Sequence, residues 1–121
     1  MNSSILCDIR EMCDAGRDNN AFDGQLIPLI NSFLFRAAQF GTGKKGFAIT
    51  STNETWANFL GDDAEHFTAL KDYIALRVRL IFDPPDNSAV LTSYREDAKE
   101  LEWSLYNEAE FGDWQIRVLS L

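Results

Sequence analysis

Residues 41–46, with the sequence GTGKKG, are the part of the chain most suggestive of ligand chemistry. A glycine-rich loop can turn its backbone N–H groups toward a phosphate, and a lysine can neutralise the phosphate charge. A nucleotide-binding loop of the Walker type, however, needs a lysine directly after its second glycine and then a serine or threonine. Here Gly46 is followed by Phe47. The spacing therefore predicts a flexible turn after a helix rather than a phosphate site.

The single histidine, His66, is the other candidate for chemistry, because Asp62, Asp63 and Glu65 stand beside it. Such a group could bind a metal weakly, but it lacks the alternating oxygen ligands and the central glycine of a calcium loop. Capping of a helix that starts nearby already explains the three carboxylates. The sequence therefore predicts no metal site, no cofactor and no catalytic site, and hence a protein that is not an enzyme.

The two cysteines, Cys7 and Cys13, are not expected to form a disulfide. On one helix their spacing separates the two Cα atoms by ~9 Å along the axis, which exceeds the disulfide limit of ~7 Å. Cys13 falls on the apolar stripe of that helix and is expected to be a small core residue, whereas Cys7 points away from the stripe. Neither cysteine has a basic residue close by in sequence, so neither is predicted to be a reactive thiol.

Charge and composition exclude several classes of function. The 121 residues include 11 Lys and Arg against 19 Asp and Glu, which gives a net charge of −8. This sign opposes phosphate binding, so the surface as a whole is not expected to bind nucleic acid tightly. No apolar run approaches the ~20 residues of a membrane span. The length of 121 residues predicts one domain. The first eight residues lack the basic segment of a secretory signal, so we expect the protein to be made in a cytosol.

The elements that position these residues are predicted to be helices arranged around a central one. Residues 63–82 form this helix, with Asp62 as its cap. Pro84 and Pro85 end it after Asp83, because proline cannot continue the hydrogen-bond ladder. Its apolar side chains cover most of its circumference, so several neighbouring elements must pack on it. They are Phe67, Leu70, Tyr73, Ile74, Leu76, Val78, Leu80 and Ile81.

Three further helices are predicted before and around a short extended segment. Apolar residues at helical spacing indicate a first helix over residues 3–15 and a long second helix over residues 22–40. Residues 47–50 follow as a short extended segment. A brief helix that contains Trp56 comes next, with Ser51 as its cap. The fold class is therefore all-α, a small helical bundle of about four to five helices.

The last predicted helix begins at Asn87 or Ser88 and runs through Glu108. Its buried stripe consists of Val90, Leu91, Tyr94, Ala98, Leu101 and Leu105. After Gly112 the period changes to two, which is typical of a strand. The alternating apolar residues of this strand-like C-terminal tail are Trp114, Ile116 and Val118. A lone strand leaves its backbone groups unpaired, so the tail either packs irregularly on the bundle or pairs with a partner's sheet edge. We therefore divide the chain into a helical domain, residues 1–112, and a docking tail, residues 113–121.

Three large aromatic residues lie off the apolar stripes. Phe35 falls on the polar face of the second helix, where it is either an ordinary exposed aromatic or a contact site. Trp103 and Tyr106 lie beside Lys99 on the outer face of the last helix. Either another element of the same chain covers this pair or another subunit does. We favour the second interpretation for Trp103 and Tyr106, because aromatic residues are enriched in interface cores.

The chain resembles the head–tail connector proteins of tailed bacteriophages over roughly residues 20–107. The resemblance rests on a combination of short motifs, each of which is weak alone. They are Ala21-Phe22-Asp23, Gln39-Phe40-Gly41-Thr42-Gly43 with Gly46-Phe47, Thr55-Trp56 with Phe59-Leu60-Gly61-Asp62, Leu70-Lys71-Asp72-Tyr73-Ile74 with Arg77-Val78-Arg79-Leu80, Phe82-Asp83-Pro84-Pro85, and Glu100-Leu101-Glu102-Trp103. We take Trp56 and the run Asp83, Pro84 and Pro85 as the structural signature.

The resemblance implies a structural virion protein without catalysis. Such a protein would be made in the host cytoplasm and would assemble as a ring, often dodecameric, in the neck of the virion. The ring would join the portal protein to the tail, with a tail-side connector or stopper protein as its other partner. Phe35, Trp103 and Tyr106 are then expected at subunit boundaries, and Trp114, Ile116 and Val118 at the portal. DNA would pass through without tight binding, because an acidic lining repels it.

The sequence also allows a function of another class. A small acidic helical domain could be a regulator or inhibitor that binds one host protein as a monomer. Trp103 and Tyr106 would then contact that protein instead of a second subunit. Co-sedimentation with portal-bearing capsids separates these two interpretations, because only a connector should attach to them.

Overall fold

The structure is a computed structural model that describes the backbone of residues 1–119 and the side chains of residues 1–106. It is a small all-α bundle, as the sequence predicts. Five helices form it: α1 (Ile5–Met12), α2 (Asp23–Gln39), α3 (Trp56–Leu60), α4 (Phe67–Phe82) and α5 (Ser88–Leu119). Over the described backbone, β-type pairing is limited to an isolated bridge between Ser4 and Thr55.

The central position of α4 is confirmed, because this helix packs against α1, α2 and α5. Its buried residues are Leu70, Tyr73, Ile74, Ala75 and Val78. Ile81 was expected on the apolar stripe but is 59% exposed. At 3.6 residues per turn, Phe82 lies closer than Ile81 to the line of Val78, and Phe82 packs against the core in the last turn.

The start predicted for α4 is wrong. Residues 63–66 precede the helix, and His66 takes the cap position without a side-chain cap bond. The carboxylate of Asp63 instead accepts hydrogen bonds from the backbone N–H of His66 at 3.2 Å and contacts its Nδ1 at 2.7 Å. An Asp side chain that bonds locally in this way competes with the helical hydrogen bond, and so delays the helix to Phe67.

Backbone hydrogen bonds join the start of α1 to the start of α3. Ser4 caps α1 by accepting from the backbone N–H of Cys7. The backbone N–H of Ile5 donates to the Glu54 carbonyl at 3.0 Å, and that of Trp56 donates to the Ser3 carbonyl at 3.3 Å. The α1 residues in the core are Ile5, Leu6 and Ile9, with Cys13 just after the helix. This packing makes the first helix an integral part of the bundle.

The segment before α3 differs in its capping from the prediction. Thr55, not Ser51, is the cap, and it forms a capping box with Asn58. The extended segment at residues 47–50 has no strand partner within the described backbone. Its buried Ile49 is held by the side chain of Asn31, whose amide accepts from the Ile49 N–H at 2.8 Å and donates to the Ile49 carbonyl at 3.0 Å. A side-chain amide thus replaces the partner strand.

The start of α5 is confirmed, because the side chain of Asn87 accepts from the backbone N–H groups of Ala89 and Val90. Ala98 and Leu105 are buried as predicted, but Val90 is 39% exposed. Val90 lies in the first turn of α5, before Ala98 and Leu105, which this helix buries. The predicted stripe is therefore buried in its later turns and open at its beginning.

The strand-like tail predicted for residues 113–121 is wrong over the described backbone, because α5 continues through Leu119 instead of ending at Glu108. A helix satisfies its own backbone hydrogen bonds, whereas a single strand cannot. The alternation spans only five residues and includes Trp114 and Val118, which are also at helical spacing. Gly112 weakens a helix interior by ~1 kcal/mol, which is too little to end it.

Candidate protein-binding surface

The carboxylate of Glu102 joins the three long helices. It accepts from Arg36 of α2 and from Arg77 of α4, each at 2.7 Å, and from the hydroxyl of Tyr73 of α4 at 3.0 Å. Burial alone would raise the pKa of Glu102, but the hydrogen bonds from Arg36, Arg77 and Tyr73 outweigh it and lower this pKa. Burial, together with the Glu102 charge, raises the pKa of Tyr73 to about 12. Glu102 is therefore ionised at neutral pH. Its three hydrogen bonds to α2 and α4 hold α5 in one rotation about the helix axis.

This rotation turns Trp103 outward. Successive helical residues are ~100° apart, so an inward Glu102 leaves its neighbour on the outer face. Trp103 is 67% exposed, and Tyr106, three residues later, is 42% exposed. The ring of Tyr106 meets that of Phe40 edge to face, with centroids 5.8 Å apart, and Arg36 lies over the same Phe40 ring.

We call Phe40, Trp103 and Tyr106 the aromatic patch. They surround a shallow cavity of about 230 Å³ together with Lys99 and Glu102. Aromatic side chains in such a setting supply large, rigid contact areas, and they are enriched among the residues that carry binding energy in protein interfaces. The arrangement suits contact with another protein.

A larger groove, of about 710 Å³, lies between α4 and α5 and extends to Met12 of α1. We call it the α4–α5 groove. Its apolar floor includes Ala75, Leu76 and Leu101, and Trp103 contributes to its rim. Its charged residues are Asp72, Arg79, Asp97 and Glu100. Because Arg79 pairs with Asp14 at 3.3 Å, the groove presents an acidic surface.

Phe35 does not belong to either of these surfaces. It is 59% exposed and lines a separate cavity of about 360 Å³ with Ala38, Gln39, Lys45 and Gly46. We call this the Phe35 surface. The structure therefore brings Trp103 and Tyr106 together, as the sequence indicated, but places Phe35 on a different part of the molecule.

The glycine-rich loop, residues 41–46, is fixed to α3. The backbone N–H of Lys44 donates to the Phe59 carbonyl at 2.9 Å. Gly43 has a φ of +91°, and a Cβ there would lie 2.2 Å from carbons of the Phe59 ring. The loop is thus a turn after α2, as expected, that is bonded to α3, and the side chains of Lys44 and Lys45 are exposed on it.

A buried polar cluster around Asp8 escaped the sequence reasoning. Asp8 accepts from Ser3 at 2.6 Å, from Arg17 at 2.6 Å and from the indole N–H of Trp56 at 2.8 Å. Burial raises the pKa of Asp8, but these three bonds and the nearby charge of Lys71 outweigh it and lower this pKa. The available signal was Trp56 itself, because a buried indole N–H requires an acceptor.

A second ion pair of α1 was also not foreseen. Arg10 is buried and forms a bidentate pair with Asp23, at 3.0 Å from Nε and 2.6 Å from Nη2. The same guanidinium donates to the carbonyl of Arg17 at 3.0 Å. These bonds tie α1 to the start of α2.

The signature residues have structural positions. Trp56 is fully buried in the core next to Phe67, with ring centroids 6.0 Å apart. Asp83 leaves α4 with φ −149° and ψ 72°, and Pro84 follows it on the surface. Pro85 is half-buried. The proline pair therefore turns the chain from α4 into α5.

The cysteines are free thiols. Cys13 is a buried core residue, as expected, and burial raises its pKa to about 11. Cys7 does have a basic neighbour, contrary to the prediction, because its Sγ lies 3.9 Å from Nη1 of Arg10. Arg10 stands three residues away and therefore on the same helix face.

Within the described residues, no group of three or more His, Cys, Asp or Glu side chains is placed to hold a metal ion. Across the same part of the chain, no helix combines the length and apolarity that crossing a bilayer requires. The side chains of Trp114, Ile116 and Val118, expected at the portal, lie outside the described residues.

Comparison with known proteins gives one match. A family model described as phage connector protein matches residues 5–112, which is most of the chain. The matched region includes α1, so it extends beyond the motifs that carry the resemblance, which begin at Ala21. No curated protein and no solved structure matches the chain significantly.

Proposed function

Because this chain belongs to the phage connector protein family, we propose that it forms a ring in the neck of the virion that joins the portal of the capsid to the tail. The family match over residues 5–112 is the observation that carries the proposal. It supports a connector role and a place in the virion. The finer features, namely the ring, its channel and its partners, are our inferences.

Subunit boundaries in the proposed ring would include the aromatic patch and the Phe35 surface. Trp103 and Phe35 are 67% and 59% exposed, and each lines a surface cavity. Covering such side chains removes apolar area from water, worth roughly 25 cal/mol per Å² before the cost of association. A ring uses this gain in every subunit, so modest contacts add up around it.

The proposed channel passes DNA without holding it, because we expect its lining to be net negative. Glu96 of α5 is exposed and forms no ion pair with any described residue. Asp62 and Glu65 are also exposed. Either Glu96 or the pair Asp62 and Glu65 would repel the duplex. A ring with a basic channel surface would contradict this.

Residues 113–121 are proposed to contribute to the portal contact. The expected contact residues are Trp114, Ile116 and Val118. The family match ends before this segment, at residue 112.

Co-sedimentation tests the proposal. Purified protein is mixed with tailless capsids that carry the portal, and with capsids that lack it. We expect attachment to the portal-bearing capsids alone. Failure to attach would overturn the connector function and would favour a monomeric regulator. Loss of attachment after deletion of residues 113–121, with helical circular dichroism retained, would support the tail contact; unchanged attachment would exclude it.

A further inference from the structure

The α4–α5 groove has the properties of a docking site for a basic segment with an apolar anchor. Its floor is apolar, and the exposed Trp103 stands at its rim. Asp72, Asp97 and Glu100 line it, are exposed, and form no ion pair with any described residue. A protein segment that fits this groove should therefore carry an apolar side chain next to a positive charge.

The Phe35 surface of the same protein has this complementary character. Phe35 is an exposed apolar side chain, and Lys45 lines the cavity beside it. Lys44 and Lys45 are exposed and form no ion pair with any described residue. No carboxylate lines the cavity. The loop that carries the lysines is held by the bond from the Lys44 N–H to the Phe59 carbonyl, so little order is lost on docking.

We propose that the Phe35 surface of one copy, with Lys44 and Lys45, docks on the α4–α5 groove of a second copy. Phe35 packs against Trp103, and the lysines face Asp97 and Glu100. This inference rests on the proposed assembly into a ring, and it specifies which surfaces meet. The two cavities share no lining residue. One copy can therefore use both surfaces at once, which gives a head-to-tail contact that can close into a ring.

A symmetric contact between two α4–α5 grooves is disfavoured by charge. It would bring Asp97 and Glu100 of one copy against the same residues of the other. Like charges placed together across an interface repel each other and disfavour the contact. The head-to-tail contact instead neutralises charge on both surfaces.

Cross-linking between single-cysteine variants tests the pairing. The variants Lys45→Cys and Asp97→Cys are made in a Cys7→Ser background, where Cys13 is buried and unreactive. A short bismaleimide is then added to each variant and to their mixture. A covalent dimer in the mixture joins two molecules, because each carries one accessible thiol.

We expect dimer in the mixture and little in either variant alone. A mixture of Lys45→Cys with Asp86→Cys, an exposed carboxylate position outside the groove, is the matched control and should give about tenfold less. Equal yields in the two mixtures would overturn the proposal. Efficient dimer in Lys45→Cys or Asp97→Cys alone would also overturn it, because it would reveal a symmetric contact.

Charge reversal separates this inference from the proposed function. The variant Lys45→Glu should attach to portal-bearing capsids about tenfold less than the wild type, and the double variant Lys45→Glu with Asp97→Lys should recover. If both variants attach to the capsids as well as the wild type does, the pairing is refuted and the connector function stays intact. Absence of wild-type attachment would refute the connector function itself.

Discussion

Asp8 and Trp56 show how one buried polar contact can decide the position of an element. The Trp56 indole donates to the Asp8 carboxylate at 2.8 Å, across 48 residues of sequence. Asp8 also accepts from Arg17, whose guanidinium bridges to Glu11. A buried carboxylate is costly unless it is satisfied, so these partners must be in place together. This requirement orients α1 against α3.

The change Trp56→Phe should destabilise the protein, because it removes the N–H donor and some packing volume at Asp8. We expect the free energy of unfolding to fall by about 2–4 kcal/mol, as measured by urea denaturation. Trp103→Phe is the matched control on an exposed position and should change it by less than about 0.5 kcal/mol. A larger loss at Trp103 would mean that Trp103 belongs to the core.

Glu102 makes the stability of the bundle depend on pH. Its pKa is lowered in the folded protein, so its contribution is present above the ordinary value of 4.5 and is lost as the pH falls through the folded value. Glu102→Gln should lower the free energy of unfolding at pH 7 by about 1–2 kcal/mol. It should also flatten the decline between pH 6 and pH 3, measured by urea denaturation at each pH. An unchanged pH profile would contradict this role.

Gly43 is required by both its backbone and its neighbour. Its φ is +91°, and a Cβ would overlap the Phe59 ring. Gly43→Ala should cost about 2–5 kcal/mol, measured as a shift of the thermal or urea midpoint. Gly46→Ala is the control, because Gly46 has a φ of +79° but nothing within 4 Å of a Cβ. It should cost only about 1–2 kcal/mol. Equal losses would show that Phe59 does not hold the loop.

At the scale of the element, α5 is notable for its length. It runs from Ser88 to Leu119, and Glu102 binds it to α2 and α4 near its middle. The family match ends at residue 112, inside this helix. A helix of 32 residues carries its own backbone hydrogen bonds beyond the bundle, so it can present its end to another protein without a strand partner.

Backbone chemical shifts can test the helical end of α5. Residues 113–119 should show helical Cα shifts in the wild type, and Gln115→Pro should abolish them, because proline in a helix interior costs about 3 kcal/mol. Gln115→Ala is the control and should keep them. Extended-type shifts in the wild type would restore the strand interpretation of this segment.

At the scale of the whole molecule, the net charge of −8 is spread unevenly. Carboxylates line the α4–α5 groove, whereas exposed lysines occupy the loop beside Phe35. In the proposed assembly, the excess negative charge would oppose other contacts between copies, and the local complementarity would favour the contact between these two surfaces.

Replacing Trp103 with Ala should weaken assembly without unfolding the monomer. Trp103 is 67% exposed, so its loss should leave helical circular dichroism and the unfolding midpoint nearly unchanged. If Trp103 anchors a subunit contact, the loss should cost about 2 kcal/mol or more of association free energy. Sedimentation of the assembled form measures this. Normal assembly of the variant would show that Trp103 does not belong to the interface.

The sequence by itself determined the helical class, the central position of α4, its stop before Pro84, the start of α5 and the exposure of Phe35, Trp103 and Tyr106. The motifs also sufficed to identify the connector family, which the match over residues 5–112 confirms. These features follow from local rules, because periodicity, capping and proline geometry involve residues close together in the chain.

Only the tertiary structure decided which distant groups meet. The contacts of Asp8 with Trp56 and of Glu102 with Arg36 join residues 48 and 66 positions apart. No local pattern encodes such pairs, because burial of a charge depends on the packing of elements that fold together. The same holds for the separation of Phe35 from Trp103. The end of α5 was predicted wrongly because a five-residue alternation fits both a strand and a helix. Only the backbone hydrogen bonds of the folded chain distinguish the two.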